Sequence, residues 1–323
     1  MKLKKVLALA ALAAVASLPA QAAWPERPIT LIVPWAAGGG TDAVARMLAA
    51  GLEKELGKPV NVVNRTGGGG VVGHTEIVNA KPDGYTIGLA TAEVTTYYWS
   101  NTAPFTYEQL TPIALVNFDA SAFNVSTSSS WQDLKGALED IRKQPVGHYK
   151  LSGMAAGAAY HLAFAGLLKL EGINPKSVTV VPSQGAAPGF QELASGGVQI
   201  VPSSLPEGKP MIDAGRVKSL AVLAKEKIAA FPNVPTVKEA IGKDYSGGTW
   251  RGIAAPAGLP PEVTARLVAA VDKVANGPEY KTFLNERGFG FAFEKADAFR
   301  TFLAEQHKNN GEVMADLGLK LRQ

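Results

Sequence analysis

Three turns built from glycine and alanine, each ahead of a helical pattern, are the segments of this chain whose residue types could do chemistry. The first runs from Trp35 through Ala36, Ala37, Gly38, Gly39 and Gly40 to Thr41 and Asp42, between the apolar run Ile29–Val33 and a helix expected over Asp42–Leu56. Glycines let main-chain N–H groups approach a guest closely, and a helix starting there adds the positive end of its dipole. Such a turn can hold an anion. Thr41 or Asp42 is expected to cap the helix, and Asp42 reads as a cap rather than an acid catalyst. A tight turn that only packs is the alternative for the same residues. The second turn is Thr66–Gly70. The third carries Ser152, Met154, Ala155, Ala156, Gly157 and Ala158 to a helix expected over Tyr160–Glu171, where His161 could donate to an anion or finish a polar edge.

Other chemistry has little support. The Gly38–Asp42 turn is neither a phosphate loop, which needs Gly-Lys-Ser/Thr, nor a GxGxxG fingerprint, and no Gly-x-Ser-x-Gly elbow frames a nucleophile. His74, His148, His161 and His307 are scattered without a second ligand at metal spacing, so no metal and no cofactor are expected. Thr91 and Glu93 follow the strand-like Thr86–Ala90 and are candidates for polar contacts. Arg251, after Trp250, could clamp a carboxylate with its planar fork or make a surface pair. Trp250 reads equally as core or as cleft wall.

These loops need a frame. Strand-like runs at Ile29–Val33, Val60–Val63 and Thr86–Ala90 alternate with helical patterns at Asp42–Leu56 and Gly73–Ala80, an α/β arrangement with a largely parallel sheet. A second α/β unit starts near Phe123, with helices at Trp131–Lys143, Tyr160–Glu171 and Pro188–Ser195 and strands at Tyr149–Ser152, Val178–Val181, Val198–Pro202 and Val217–Ala224. Gly252–Pro256 reads as a return strand, and helices at Pro261–Ala275, Glu279–Arg287 and Ala296–Leu317 close the chain. The expected division is 23–122 plus 251–323 for domain 1 and 123–250 for domain 2. Loops after Val33, Val63, Ala90, Leu151, Val181 and Val201, the last reaching Ser203, then surround one cleft.

The N-terminus has its own grammar. Lys2, Lys4 and Lys5 precede an apolar run from Val6 to Pro19 and the small-x-small Ala20-Gln-Ala22, the pattern of a secretory signal peptide over 1–22. Its removal leaves 29 Lys+Arg against 28 Asp+Glu, so the net charge falls from +4 to +1. A chain so balanced, without a basic run, gives no footprint for nucleic acid. With no cysteine, neither disulfides nor a cysteine-linked lipid anchor is expected.

Trp24-Pro-Glu-Arg-Pro-Ile29, Val33-Pro-Trp-Ala-Ala-Gly-Gly-Gly-Thr-Asp42, Leu56-Gly-Lys-Pro-Val60, Asn64-Arg-Thr-Gly-Gly-Gly-Gly70 and Pro82-Asp-Gly-Tyr-Thr86 together resemble the N-terminal pattern of the Bug (Bordetella uptake gene) proteins. These are the periplasmic substrate-binding proteins of tripartite tricarboxylate transporters. His161-Leu-Ala163, Gly185-Ala-Ala-Pro188, Pro232-Asn-Val-Pro-Thr236, Trp250-Arg-Gly252 and Ala255-Pro-Ala-Gly258 continue the likeness in order. The resemblance implies a two-domain periplasmic binding protein fold of type II with the ligand cleft between its lobes. It implies a non-enzymatic receptor for a di-, tri- or aromatic carboxylate, with the permease subunits of the transporter as membrane partners and a monomer as the expected state. It also implies that main-chain N–H groups hold one carboxylate from Ala36–Thr41 and, across the cleft, from Ser152–Ala158 and Pro182–Ala187, which adds Ser183, Gln184, Gly185 and Ala186. Ser183-Gln-Gly185 replaces the family's frequent Tyr-Lys-Gly, so a positive side chain is missing and charge compensation falls to backbone dipoles or Arg251. A carboxylate-sensing partner of an extracytoplasmic sensor kinase, or an enzyme on the same fold using Glu93, are the alternatives.

Overall fold

The computed structural model describes residues 24–322, so the expected leader and the start of the mature chain at Ala23 lie outside the described residues. The unbroken run Ile29–Val33 forms β1, buried as an apolar run of that kind requires. α1 (Gly40–Leu56), β2 (Val60–Asn64), α2 (Val71–Val78) and β3 (Thr86–Thr91) follow, and β2 and β3 pair parallel on either side of β1. The eleven-residue β4 (Leu110–Ala120) then leads the chain into a second lobe.

That lobe contains β5 (Ala122–Ser126), α3 (Leu134–Lys143), β6 (Tyr149–Leu151), α4 (Ala159–Leu170), β7 (Val178–Val180), α5 (Ala186–Ser195), α6 (Leu205–Asp213), β8 (Val217–Val222) and α7 (Val237–Ile241). β9 (Gly248–Pro256) brings the chain back, and α8 (Pro261–Ala275), α9 (Pro278–Arg287), β10 (Phe291–Lys295) and α10 (Ala296–Asp316) complete the first lobe. Among the described residues no helix is long and apolar enough to cross a membrane.

The first lobe's sheet has the order β10-β4-β9-β3-β1-β2. Its β3–β9, β9–β4 and β4–β10 pairings are antiparallel, which corrects the expectation of a largely parallel sheet. Connectivity is the cause. Helical crossovers join only β1 to β3, whereas β9 arrives from the other lobe and can enter from the opposite end. In the second lobe the expected strand Val198–Pro202 shrinks to bridges at Ile200 and Val201, which link β6 to β5. α6 is not among the expected helices, and Pro206 and Pro210 obscure it in the sequence. Pro206 sits in the first turn, where its missing N–H costs nothing.

Each lobe has its own core. Leu31, Leu48, Leu52, Ile253 and Leu267 are buried on one face of the large sheet, and Ile32, Trp250 and Phe299 on the other. Phe123, Leu138, Phe164 and Leu220 fill the second lobe. Two crossings join the lobes where Ser121 N–H donates to Gly247 O at 2.9 Å and Leu223 N–H to Ser121 O at 2.8 Å. Gly248 has no room for a side chain, because a Cβ would lie 2.0 Å from Asp119 O. The end of α10 forms a third tie, with Met314 and Leu317 packed on Leu162 and Ala165 of α4.

Candidate functional site

The first turn folds differently from the capping scheme expected of it. α1 begins at Gly40 with Gly39 as N-cap and no side-chain cap, so neither Thr41 nor Asp42 caps the helix. Asp42 instead reaches back to Gly38 N–H at 3.0 Å and also receives Arg46 and Asn64. Burial pushes the Asp42 carboxyl up, but these hydrogen bonds prevail and hold it below the ordinary carboxylate range. The helix starts two residues early because glycine at 39 and 40 tolerates a close approach. A Cβ on Gly40 would lie 2.6 Å from Glu207 Cγ and 2.9 Å from Arg251 Nη2, whereas one on Gly39 meets nothing nearer than Ala36 O at 3.5 Å.

Arg251 is buried on β9 with 1% of its side chain exposed, so the surface-pair alternative is excluded. Its Nε donates to Thr41 Oγ1 at 2.9 Å, Nη1 to Asn117 and Asp119, and Nη2 to Glu207 Oε1 at 3.0 Å. Desolvation opposes its charge, yet Asp119 and Glu207 outweigh that and raise its pKa further above the ordinary arginine range. Two carboxylates against one guanidinium leave this cluster with a formal charge of −1. The positive charge expected to compensate a guest is therefore already balanced within the protein.

Glu93 stands at the other side of the cleft. Its Oε2 accepts the Thr91 hydroxyl, and Oε1 accepts Ala159 N–H at 3.2 Å, the first amide of α4. Burial drives its pKa up, partly opposed by those hydrogen bonds. Behind it, Thr91 N–H donates to His74 Nε2 at 3.1 Å, and burial lowers the His74 pKa to about 4. Trp35 Nε1 donates to Thr91 Oγ1 at 3.2 Å and fixes the indole at the cleft wall.

A cavity of about 30 Å³ lies between the lobes, and of the residues expected at the site Trp35, Ala36, Gly39, Gly40, Thr41, Thr91, Glu93, Met154, Gly185, Ala186 and Arg251 line it. Gly153, within the expected Ser152–Ala158 turn, also lines it, as do Tyr160, Glu207 and Thr249, which the sequence does not single out. Glu207 had a legible signal: Ser204-Leu-Pro-Glu207 is an S-x-x-E capping box, which announces α6 and places Glu207 in its first turn.

The remaining expected residues sit around the cavity rather than in it. Ala37, Gly38 and Ala156 face outward, and Gly38 borders a neighbouring groove. Ala155 lies opposite Gly69, where a Cβ would approach to 2.5 Å, so the second glycine turn closes the lobe boundary. His161 Nδ1 accepts Gly157 N–H at 2.9 Å, and burial lowers its pKa to about 4, so the ring is a neutral brace for the loop before Ala158. Gln184 O accepts Ala36 N–H at 3.0 Å across the cleft, while Ser183 Oγ turns back to Gly185 O at 3.1 Å. Ser152 and Ser203 are buried, and neither hydroxyl has a hydrogen-bond partner. No group of three His, Cys, Asp or Glu able to hold a metal ion occurs among the described residues.

Residues 44–319 match the family described as the tripartite tricarboxylate transporter family receptor. A UPF0065 protein of Bordetella pertussis is 29% identical, with 98% of each chain covered, and Protein BugT of the same organism is 28% identical, with 93% of this chain and 92% of BugT covered. Among solved structures, R. palustris Rpa4515 with adipate is 25% identical with a TM-score of 0.85, covering 91% of this chain and 98% of that one. MatC from Rhodopseudomonas palustris with bound malate is 26% identical with a TM-score of 0.81, covering 90% and 99%. The architecture is thus the two-lobed α/β fold of periplasmic binding proteins.

Proposed function

Because the chain belongs to the tripartite tricarboxylate transporter receptor family, that of the Bug proteins, we propose that it is a periplasmic receptor which closes on a small organic carboxylate and delivers it to membrane permease subunits. One observation carries this reading. The three helices that begin at the cavity, α1, α4 and α5, have Gly39, Ala158 and Gly185 as N-caps, and none has a side-chain cap. Their positive ends converge on one small volume and are complementary to carboxylates rather than to cations or sugars. Each charge-assisted hydrogen bond from such an amide contributes about 1.5–3 kcal/mol and needs no poised nucleophile.

Glu93 serves binding rather than proton transfer in this reading, since Thr91 and Ala159 occupy its two oxygens. A cavity of about 30 Å³ is far below the space a dicarboxylate fills. Entry therefore requires the lobes to part about the Ser121 and Gly247 crossings, and closure is the form presented to the permease. The adipate and malate named for the two neighbouring structures support a short dicarboxylate as the guest in this reading.

Calorimetric titration of the mature protein with C4 to C9 mono-, di- and tricarboxylates and with aromatic carboxylates tests the reading. Saturable binding of at least one, abolished by its methyl ester, is the expected result. Failure of the whole series, with binding of an uncharged or cationic solute, overturns it.

A further inference from the structure

The two glutamates at the cavity make the same contact in opposite directions. Glu207, on α6 of the second lobe, accepts the N–H of Gly40, the first residue of α1 in the first lobe, at 3.2 Å. Glu93, after β3 of the first lobe, accepts the N–H of Ala159, the first residue of α4 in the second, at 3.2 Å. Neither helix caps itself, so a carboxylate from the opposite lobe supplies what an N-cap side chain ordinarily would. α5, which also lacks a side-chain cap, receives no such carboxylate.

We propose that Glu207 and Glu93 form a reciprocal latch that holds the lobes together without a guest, each standing where a guest carboxylate binds, so that a guest is enclosed by replacing the protein's own acids. The competitive half of this proposal rests on the carboxylate reading above; the latching half does not.

Glu207 is the stronger arm. Its side chain is only 5% exposed, and its Oε1 also receives Arg251 Nη2 at 3.0 Å. Opening the lobes strips it of Gly40 and Arg251 and leaves it the Ser204 amide and hydroxyl, at 3.4 and 3.2 Å from Oε2. Arg251 keeps Asp119 on opening, because both belong to the first lobe. A guest carboxylate can take over the bonds to Gly40 and Arg251 one for one, so exchange costs little while opening alone costs two charged contacts. Tyr160, whose buried hydroxyl has no hydrogen-bond partner, lines the same cavity.

The latch makes Glu207 a determinant of affinity. A receptor that must displace an internal carboxylate binds more weakly by the preference of α1 and Arg251 for that carboxylate. A charged hydrogen bond of about 1.5–3 kcal/mol corresponds to roughly 10- to 100-fold in dissociation constant.

Small-angle scattering of the ligand-free wild type, Glu207→Ala and Glu207→Met, with adipate and malate titrations of each, tests the proposal. Circular dichroism and cooperative melting establish that both variants fold, and Glu207→Met retains the side-chain volume without an acceptor oxygen if Glu207→Ala does not fold. Expected is a compact ligand-free wild type, an expanded ligand-free variant, and at least tenfold tighter binding of the dicarboxylate by the variant. A folded variant whose ligand-free scattering superimposes on wild type overturns the latch. An expanded variant with weakened dicarboxylate binding overturns the competition and makes Glu207 a ligand contact. Expansion with no carboxylate bound by any form supports the latch while removing the carboxylate reading.

Discussion

Replacing Arg251 with methionine should destabilise the protein strongly, and its size follows from the burial of the three charges involved. The guanidinium and the Asp119 carboxylate are each 1% exposed, and the Glu207 side chain 5%. Removing the cation leaves two buried carboxylates facing each other without compensation, a loss of about 3–5 kcal/mol for a broken buried pair. With an unfolding entropy of about 2.1 cal/mol/K per residue over roughly 300 residues, each kcal/mol lowers the melting temperature by about 1.6 °C. The expected fall is therefore about 5–8 °C at pH 7. Adding Glu207→Gln should return about 1–2 kcal/mol, since Gln can still accept from Gly40 while one stranded charge disappears. Scanning calorimetry of the single and double variants at pH 7 measures both effects. A loss below about 1 kcal/mol, or no recovery in the double variant, would refute the account of Arg251 as the cation of a buried cluster.

The two cleft glycines should behave differently. Gly40→Val, whose Cβ collides with Glu207 and Arg251, is expected to weaken carboxylate binding at least tenfold by calorimetry, and Gly39→Ala to leave it within about threefold; equal effects would contradict the geometry. His74 and His161, each lowered by burial from about 6.5 to about 4, remain neutral in the fold while the unfolded chain takes up protons. Stability should therefore fall as pH drops from about 6.5 to 4, by up to about 3 kcal/mol per histidine. Urea titrations of wild type and His161→Asn across that range check this, and an undiminished slope in the variant removes His161 from the effect. Gly248→Ala, which sets a Cβ 2.0 Å from Asp119 O, should displace the strand crossing and lower the melting temperature by several degrees, whereas Gly258→Ala, with open space about its Cβ but a φ of +87°, should cost only the backbone strain of about 1 kcal/mol.

Hydrophobic period and glycine placement made most of the scaffold legible: Ile29–Val33 and Pro261–Ala275 fall where the pattern set them. The strand β4 escaped because Pro112 and the polar Asn117 and Asp119 interrupt its run. Those polar residues are there to serve Arg251, 132 and more residues away, a partnership no local window contains. The antiparallel entry of β9 is likewise a consequence of the second lobe's path. At the site, small-residue turns marked one wall of the cavity, and the acids escaped because their partners lie on the other lobe. Arg251 was visible as a charge; its neutralisation was not, since it depends on Asp119 and Glu207 meeting only after folding.

β9 carries the crossing glycine, Gly248, and the buried cation, Arg251, three residues apart on one strand. At about 3.3 Å per residue the separation is roughly 10 Å, so a swing of about six degrees at the pivot displaces the guanidinium by about 1 Å. Axle and contact point thus ride on a single rigid rod. Any rotation of one lobe on the other is transmitted to the charge cluster without an intermediary, and any repulsion or attraction at the cluster acts back on the pivot with the same leverage.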